Sequence, residues 1–520
     1  MWLTTSYKMG MAALIMAGSV ILSRFMGLIR DKVISWEFGA TAEADIYFAA
    51  FVIPDFINYL LAGGYISITL IPLLSKSFQE DEQNGWKFFS TVFYWATIAI
   101  SVTTFIAWFF AYDLAKITAP GFTTSNQERL GFFLRIILPS QIFFISGACI
   151  SALLYIRKQF LAPALMPIIY NSCIILGGLI SSSNGMEGFC WGVLIGAALG
   201  AFFLPFGVGL INGIHFYFSL RHPLIKHFLC LALPLMLGQS IIILDEQLIR
   251  IFGSLAGEGA VSLLNYARRI MLVPVGVVAQ SISVASFPFL ATLAAKNNNT
   301  KFNETLNKAL KGSLIIALPI TGWMIGIALP TLGIIFEGGR FSHTQTIVAT
   351  PLLQIMLFSI PFWVVQQVIG RAFYAQQNTL TPALIGTFST IIFIPFFSTS
   401  VKSWGSIGIA ALTTISIITY TFLISYRWYK TFGITAFTGL KTILIRSFLI
   451  VIPSGLSAWI ITTLISSFLT SFSPFILYFF IIAINTITFS IFYFILAFYF
   501  FPPISNIIQN YFKKLVAQLT

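Results

Sequence analysis

The chain has 520 residues, of which 58% are hydrophobic and only 9% are charged. Soluble domains carry about 25% charged residues, so this composition excludes an ordinary soluble globular protein. Many nearly uninterrupted apolar segments of about 20 residues predict an all-α polytopic membrane protein, because that length spans a bilayer as a helix. The ten-residue alternation that is typical of an outer-membrane barrel is missing from the sequence.

The formal net charge is +13, which in a soluble protein would suggest nucleic-acid binding. In a polytopic membrane protein, basic residues instead collect in cytoplasmic loops, so we expect no nucleic-acid partner. The four cysteines lie in apolar segments at irregular spacing and predict neither disulfides nor a metal site. Because the sequence has no Walker-type phosphate loop and no H-E-x-x-H motif, we expect no cofactor.

The apolar segments predict fourteen membrane-spanning helices, at residues 10–30, 45–74, 87–112, 129–155, 160–182, 188–212, 225–250, 260–295, 309–336, 346–376, 381–400, 405–427, 442–467 and 473–501. The first segment is long and does not end at a small-residue cleavage site, so we predict a retained helix rather than a signal peptide. Pro54, Gly63-Gly64 and Pro274 predict bends inside long spans. Residues 500–520 predict a short amphipathic tail on the membrane surface.

Basic residues are concentrated in the loops that follow even-numbered spans, whereas loops after odd-numbered spans hold far fewer. Positive residues favour the cytoplasmic side of a membrane. The distribution therefore predicts that both termini are cytoplasmic, with Lys8 and Lys513-Lys514 as flanking charges.

Three segments of the first half recur in the same order in the second half. The pattern D-x-x-(I/L)-x-x-x-F-G occurs at 31–39 and, 214 positions later, at 245–253. Residues 48–54, which end at Pro54, are echoed by 266–274, which end at Pro274. Residues 155–165 recur 219 positions later as 374–384. Matches at nearly constant displacement predict an internal duplication.

An even number of spans, six, separates equivalent points, so the two halves share one orientation and form a parallel repeat about the membrane normal. We predict two six-helix bundles, 1–219 and 220–437, followed by two extra helices and a tail at 438–520. Two such bundles facing each other would enclose a V-shaped central cavity. Rocking of one bundle against the other would alternate access to the two membrane faces, which is the plan of a transporter.

Ionisable residues inside membrane spans are functional candidates because they are costly to bury in lipid. They are Arg24, Asp45, Asp55, Arg135, Asp245, Glu246, Arg268, Arg269 and Arg371, with Arg30 and Asp31 at the predicted end of the first helix. Arg24 and Arg269 occupy related places in the two halves, so we expect both to face the cavity. Arg268 and Arg269 are about 100° apart on a helix, so we expect one of them to point inward. Internal ion pairs or snorkelling explain Arg135 and Arg371 more readily.

A cavity with several arginines and few carboxylates predicts an anion site, since guanidinium groups match phosphate oxygens and stay protonated. The predicted ligand is a lipid-linked phosphate whose tail remains in the bilayer. Asp45 could orient an arginine or bind a head-group amide, or it could be a helix N-terminal carboxylate favoured by the dipole. Asp245 could couple a cation or proton to transport, or pair with Arg250.

Several motifs resemble those of the lipid II flippases, the MurJ or MviN family. The stretch S-R-F-M-G-L-I-R-D at 23–31, followed by F-G-A at 38–40, Asp45 and a segment ending at Pro54, is similar to the family's amino-terminal signature. The stretch at 266–274 resembles its eighth helix. Residues 336–341 and 373–382 resemble its later loops.

The resemblance implies the fold of the multidrug/oligosaccharidyl-lipid/polysaccharide exporter superfamily, and a transporter rather than an enzyme. The implied activity moves the undecaprenyl-diphosphate-linked peptidoglycan precursor, lipid II, to the outer leaflet of the bacterial cytoplasmic membrane by alternating access. Lipid II and membrane lipids are the implied partners of a functional monomer, and the last two spans would form a groove for the lipid tail.

Site residues carry over onto matching positions of this sequence. Arg24, Arg30, Arg269 and Asp45 are the implied substrate-binding residues, and Ser23, Asn58, Asp245 and Arg268 are supporting or coupling candidates.

The sequence departs from the family pattern at two places. Asn58 stands near a usual arginine, and Gly63-Gly64 replaces a Glu-Gly pair, so the net charge of the predicted cavity is unchanged. The polar residues of the sodium site that some members have are missing between Thr381 and Ser400, which leaves the coupling ion open. Three alternatives remain: a flippase for another polyprenyl-diphosphate glycan of the O-antigen type, a drug/cation antiporter of the same superfamily, and a membrane-embedded glycosyl- or acyltransferase.

Overall fold

The computed structural model describes residues 9–61, 65–181, 185–240, 244–466 and 473–500. Within these ranges the protein is helical, and a single isolated β-bridge joins Gly338 to Phe341. The predicted all-α membrane class is confirmed. Eleven helices of the described part are long and apolar enough to cross a membrane, and the count of fourteen spans stays a prediction. The predicted tail at 500–520, including Lys513-Lys514, lies outside the described residues except for Phe500.

The chain forms two compact units. The first comprises Met1–Asn265, Gly338–Phe341 and Ile394–Ile409. Its helices run over Met9–Phe38, Ala42–Ala49, Val52–Leu61, Tyr65–Glu80, Glu82–Phe109, Ala111–Thr118, Thr124–Ile137, Ser140–Ile156, Leu161–Ile180, Glu187–Gly196, Ala197–Phe203, Leu204–Ile211, Leu224–Ser240 and Leu244–Gly253, followed by a short turn of 3₁₀ helix at Ser254–Ala256.

The second unit comprises Tyr266–Glu337, Ser342–Phe393 and Ala410–Thr520. Its helices run over Val275–Ala279, Gln280–Ala295, Asn299–Gly326, Ala328–Phe336, His343–Leu357, Ile360–Ala375, Thr435–Phe437, Leu440–Ser466 and Pro474–Phe500. Two further helices, Ala260–Pro274 and Leu380–Phe432, have residues in both units. The latter is interrupted by non-helical dihedral angles at Gly405, between the two spans that the sequence predicts there.

Residues 220–265 belong to the first compact unit, whereas the sequence places the boundary between bundles at 219/220. Side-chain bonds hold this segment in the unit. His222 contacts Asn84, and Arg250 pairs with Asp55. The division into three parts at 219 and 437 describes the proposed repeats, and it stays a prediction.

The first helix continues to Phe38, eight residues past Arg30, so the expected helix end at Arg30 is wrong. The extension is amphipathic. Asp31, Ile34, Ser35 and Phe38 recur at helical spacing and are all buried, which supports the helix after the apolar segment has ended. Arg30 is therefore an internal helix residue.

The helix changes near two of the prolines at which bends are predicted, Pro54 and Pro274. The second span is interrupted by a turn at Ala50 and Phe51, four and three residues before Pro54. A proline ring clashes with the carbonyl group four residues earlier, so the break falls at the expected place. At Pro274 the α-helix ends and a π-helix, Val275–Ala279, follows. The predicted bend at Gly63-Gly64 lies outside the described residues.

The third pair of repeated segments, 155–165 and 374–384, has similar backbone geometry in both halves. Lys158 and Gln377 both have positive φ, 60° and 58°. The next amide donates to the carbonyl five residues back in each case, Gln159 to Leu154 at 2.8 Å and Asn378 to Phe373 at 3.0 Å. These are Schellman helix ends, after which new helices begin at Leu161 and Leu380. The two repeated segments thus end a helix in the same way, and the duplication of whole bundles stays a prediction.

Within the first unit, loops that follow even-numbered predicted spans meet at one end, and loops that follow odd-numbered spans meet at the opposite end. At one end Trp86 contacts His215 and Arg157. At the opposite end Arg129 pairs with Glu43 and Glu187, which lie at the starts of the second and sixth predicted spans. Such an arrangement is expected of a bundle whose successive helices cross the membrane in opposite directions.

Candidate functional site

The first helix carries the two amino-terminal arginines in different environments. Arg24 is exposed. The Arg30 side chain is 14% exposed, and its Nε and Nη2 donate to the same carboxylate oxygen of Asp31 at 3.0 and 2.8 Å. Its Nη1 donates to Asn171 Oδ1 at 3.3 Å. An anion that binds Arg30 would therefore compete with the carboxylate of Asp31.

Asn171 is itself held in place. Its Nδ2 donates to the carbonyl oxygen of Pro167, one turn earlier in the helix Leu161–Ile180, at 2.7 Å. Its amide oxygen is thereby directed at Arg30. This contact could not be predicted from the sequence, because the two residues lie 141 positions apart.

Arg268 and Arg269 are adjacent on the helix Ala260–Pro274 and differ in accessibility. Arg268 is only 7% exposed, whereas Arg269 is exposed. This agrees with successive residues pointing about 100° apart on a helix. Of the two, Arg269 is the more accessible to solvent.

Asp45 is fully buried near the start of the helix Ala42–Ala49. Its Oδ2 accepts from the backbone N–H of Gly259 at 2.6 Å, and its Oδ1 accepts from the backbone N–H of Ser262 at 2.7 Å. The hydroxyl of Ser262 also donates to Oδ1. The carboxylate therefore caps the first turn of the helix that begins at Ala260, where the helix dipole favours negative charge.

Asn58 and Ser23 complete the predicted set in the first unit. Asn58 Nδ2 donates to Oε1 of the buried Gln141 at 2.9 Å, so a neutral amide pair occupies the place near which the family has an arginine. Ser23 is half-buried on the first helix. Gly63-Gly64, the other departure from the family pattern, lies outside the described residues.

A second ionic cluster joins two helices of the first unit. Arg250 Nη1 contacts Asp55 at 2.7 Å, and its Nη2 contacts Glu246 at 2.7 Å. The Glu246–Arg250 contact follows from i,i+4 spacing and could have been predicted. The Asp55 contact spans 195 positions and could not. Asp245 is half-buried on the same helix, Leu244–Gly253.

Two further intramembrane arginines stack on aromatic rings. The Arg135 guanidinium lies 4.8 Å from the ring centre of Trp108 and 4.5 Å from that of Tyr112. Arg371 lies 5.7 Å from the ring centre of Phe287. Such cation–π contacts stabilise a desolvated guanidinium.

Among the described residues, no group of His, Cys, Asp and Glu is arranged to hold a metal ion. Exposed guanidinium groups lie on the first helix, at Arg24, and on the helix Ala260–Pro274, at Arg269. Guanidinium groups match the geometry of phosphate oxygens.

The family assignment follows from the chain as a whole. Residues 34–514 match the family model described as Lipid II flippase MurJ. The chain belongs to the MurJ family of lipid II flippases. The matched range begins within the first helix, after Arg24 and Arg30, and extends through the helices Leu440–Ser466 and Pro474–Phe500.

Relatives and solved structures agree with this. The chain is 26% identical over 411 residues to a probable lipid II flippase MurJ of Rickettsia prowazekii (strain Madrid E), covering 78% of this chain and 81% of that protein. It is 27% identical over 412 residues to the lipid II flippase MurJ of Thermosipho africanus (strain TCF52B), covering 76% and 81%.

A solved structure of lipid II flippase MurJ in an inward closed conformation is similar, with a TM-score of 0.76 at 26% identity, covering 93% of this chain and 99% of that one. A multidrug resistance MATE family transporter of the MOP superfamily, inward-facing, has a TM-score of 0.65 at 14% identity, covering 80% and 96%. The latter likeness is one of fold. The predicted family, superfamily fold and transporter class are confirmed, and MurJ proteins are flippases rather than enzymes.

Proposed function

We propose that this protein moves lipid II from the inner to the outer leaflet of the bacterial cytoplasmic membrane by alternating access. The observation that carries the proposal is the match of residues 34–514 to the MurJ family model. The parallel duplication, with its paired Schellman turns at Lys158 and Gln377, supports it because rocking repeats are a common plan of transporters.

The proposed site uses Arg24, Arg30 and Arg269 to contact the substrate diphosphate. A phosphate that crosses bare hydrocarbon would lose its hydration at prohibitive cost, and guanidinium groups replace that hydration. The accessibility of Arg24 and Arg269 supports this role, and the burial of Arg268 supports a packing role for that residue.

For Asp45 we favour a positioning role over direct substrate contact. Both of its oxygens already accept hydrogen bonds from the turn at Gly259 and Ser262. A head-group amide would have to displace at least one of these bonds. Asp245 remains a candidate for ion coupling, and the coupling ion is not assigned.

Cytoplasmic termini and a functional monomer are part of the same proposal. The location of both termini rests on the excess of basic residues in loops that follow even-numbered predicted spans. The groove for the lipid tail is proposed for the helices Leu440–Ser466 and Pro474–Phe500, which expose many large apolar side chains.

The decisive experiment is complementation of a bacterium depleted of its own lipid II flippase. We expect the wild type to restore growth and Arg24→Ala and Arg269→Ala to fail at equal membrane abundance. Arg427→Ala, which removes an exposed arginine from the end of the helix Leu380–Phe432, is the matched control and should complement fully. Normal growth with both cavity variants would show that the proposed site is wrong.

The nature of the glycan needs a separate measurement. Native mass spectrometry of the purified protein should detect bound lipid II. Detection of a different polyprenyl-diphosphate glycan in its place would favour the O-antigen-type alternative, while the arginine site would still stand.

A further inference from the structure

The first unit contains a cavity of about 880 Å³ that the residues of the proposed transport site do not line. It lies among the helices Val52–Leu61, Glu82–Phe109, Ser140–Ile156 and Leu224–Ser240 and the segment that precedes the last of these. Its volume is within the range of about 300–1,000 Å³ that is typical of small-molecule sites. It therefore has room for a ligand that is distinct from the transported diphosphate.

The walls of the cavity are almost entirely apolar. Val92, Ile145 and Phe228 come from three of its helices, and Phe228 and Val92 are buried. Leu229 also lines the cavity and is 45% exposed, so the cavity opens towards the surface of the unit. The apolar chemistry of the walls suits an acyl chain.

One end of the cavity is basic. Among the described residues that line it, the ionisable ones are Arg221 and His222, and none is a carboxylate. Lys226 follows in the first turn of the helix Leu224–Ser240 and is exposed, as is Arg221. Asp81, a carboxylate near this end, caps its own helix by accepting from the backbone N–H groups of Gln83 and Asn84.

Trp95 marks the boundary between the basic end and the apolar walls. Its ring lines the cavity, and its indole N–H donates to the carbonyl oxygen of Leu220 at 2.9 Å. The side chain is 49% exposed. Tryptophan favours the level of lipid head groups, because one end of its ring system is polar and the rest is apolar.

We propose that this cavity binds one acyl chain of an anionic phospholipid, with the lipid phosphate held at Arg221. Charge complementarity selects the head group, because basic pockets between membrane helices bind anionic lipid heads. The apolar walls select the chain. The site would be a fixed lipid-binding site beside the transport pathway and does not depend on which glycan is carried.

The test uses the purified full-length protein in detergent and two photoreactive lipids. Both carry a diazirine in one acyl chain, and they differ only in having a phosphatidylglycerol or a phosphatidylcholine head group. We expect the phosphatidylglycerol probe to label peptides that contain Val92, Trp95 or Phe228 about fivefold more than the phosphatidylcholine probe, the effect of one basic residue near a membrane surface. Equal labelling by both probes, or adducts elsewhere in the chain, would overturn the proposal.

Two variants separate the head-group contact from the chain contact. Arg221→Gln should reduce phosphatidylglycerol labelling to the phosphatidylcholine level, whereas Arg427→Gln should not change it. Ala96→Phe, which fills the cavity, should reduce labelling by both probes. Ile98→Phe, an exposed position on the same helix outside the cavity lining, should not. Unchanged labelling in Arg221→Gln or in folded Ala96→Phe would contradict the assignment.

A competition arm identifies the class of lipid. An unlabelled polyprenyl monophosphate should not displace the phosphatidylglycerol probe at equimolar concentration. Displacement would overturn the phospholipid assignment and give the cavity to the tail of the transported substrate. Because the readout is binding rather than transport, failure of this proposal is distinguishable from failure of the proposed flippase site.

Discussion

Asp45 and Ser262 lie 217 positions apart in the sequence, yet the Asp45 carboxylate accepts from both the backbone N–H and the hydroxyl of Ser262. With the bond from Gly259, this gives three hydrogen bonds to one fully buried carboxylate. The contact ties the start of the second predicted span to the start of the eighth.

We therefore expect Asp45→Ala to destabilise the protein strongly. Two buried backbone N–H groups would lose their acceptor, at about 1–3 kcal/mol each. Asp45→Asn, which keeps one acceptor oxygen, should be intermediate, and Ser262→Ala should cost about 1 kcal/mol. The measurement is the thermal unfolding midpoint in detergent. The exposed Glu258→Gln in the same turn is the control, and an equal loss there would argue against the cap.

The ionic cluster at Arg250 gives a second prediction about stability. Arg250→Met should destabilise by about 3 kcal/mol, because Asp55 and Glu246 lose their shared counter-charge in a mostly buried place. Combining Arg250→Met with Asp55→Asn and Glu246→Gln should recover most of the lost stability, since no uncompensated charge remains. Lys116→Met, which breaks an exposed pair with Asp113, should cost less than about 1 kcal/mol. No recovery in the triple variant would contradict this account.

His222 predicts a pH dependence of stability. Its Nδ1 accepts from the Leu224 N–H at 3.2 Å and its Nε2 lies 3.0 Å from Asn84 Oδ1, an arrangement that suits the neutral ring. Burial and the nearby Lys87 ammonium lower the pKa of His222 below its ordinary value of 6.5. The unfolded chain therefore binds the proton first as pH falls, so this contribution to stability is present above pH 6.5 and is lost below it.

The check is the unfolding midpoint between pH 7.5 and 5.5, compared between the wild type and His222→Gln. We expect a shallower decline of the midpoint in the variant, because it lacks only the contribution of the His222 ring. Parallel curves would show that His222 does not contribute to the pH dependence.

Substitution by glycine should stabilise the protein at the two Schellman turns but not at an exposed helix end with negative φ. Lys158 and Gln377 have positive φ, which costs a side-chain-bearing residue about 1–2 kcal/mol. Lys158→Gly and Gln377→Gly should each raise stability by about 1 kcal/mol, and the β-branched Lys158→Val should lower it. Lys296, at a helix end with φ of −85°, is the control, and Lys296→Gly should not stabilise. Chemical denaturation in detergent micelles would measure all four.

Several features of the fold could be read from the sequence because each depends on local physics. A helix in lipid satisfies its own backbone, so apolar length alone marks where it runs. The same independence lets proline and glycine set the breaks near Pro54, Pro274 and Gly405. The segments 155–165 and 374–384 could be matched in the sequence because both begin with Tyr and end in L-x-P-A-L, whereas the turn at Lys158 and Gln377 was not predicted.

Tertiary structure alone decided the partners of the buried polar groups. Asp45 was expected near an arginine, a head group or a helix N-terminus, and the helix N-terminus that it caps is that of the eighth predicted span. Arg250 pairs with Asp55. Arg30 contacts Asp31 and Asn171, and its helix continues to Phe38. Hydropathy and periodicity fix which face of a helix is buried. They carry no information about which distant helix packs there, and that packing determines where a buried charge finds its partner.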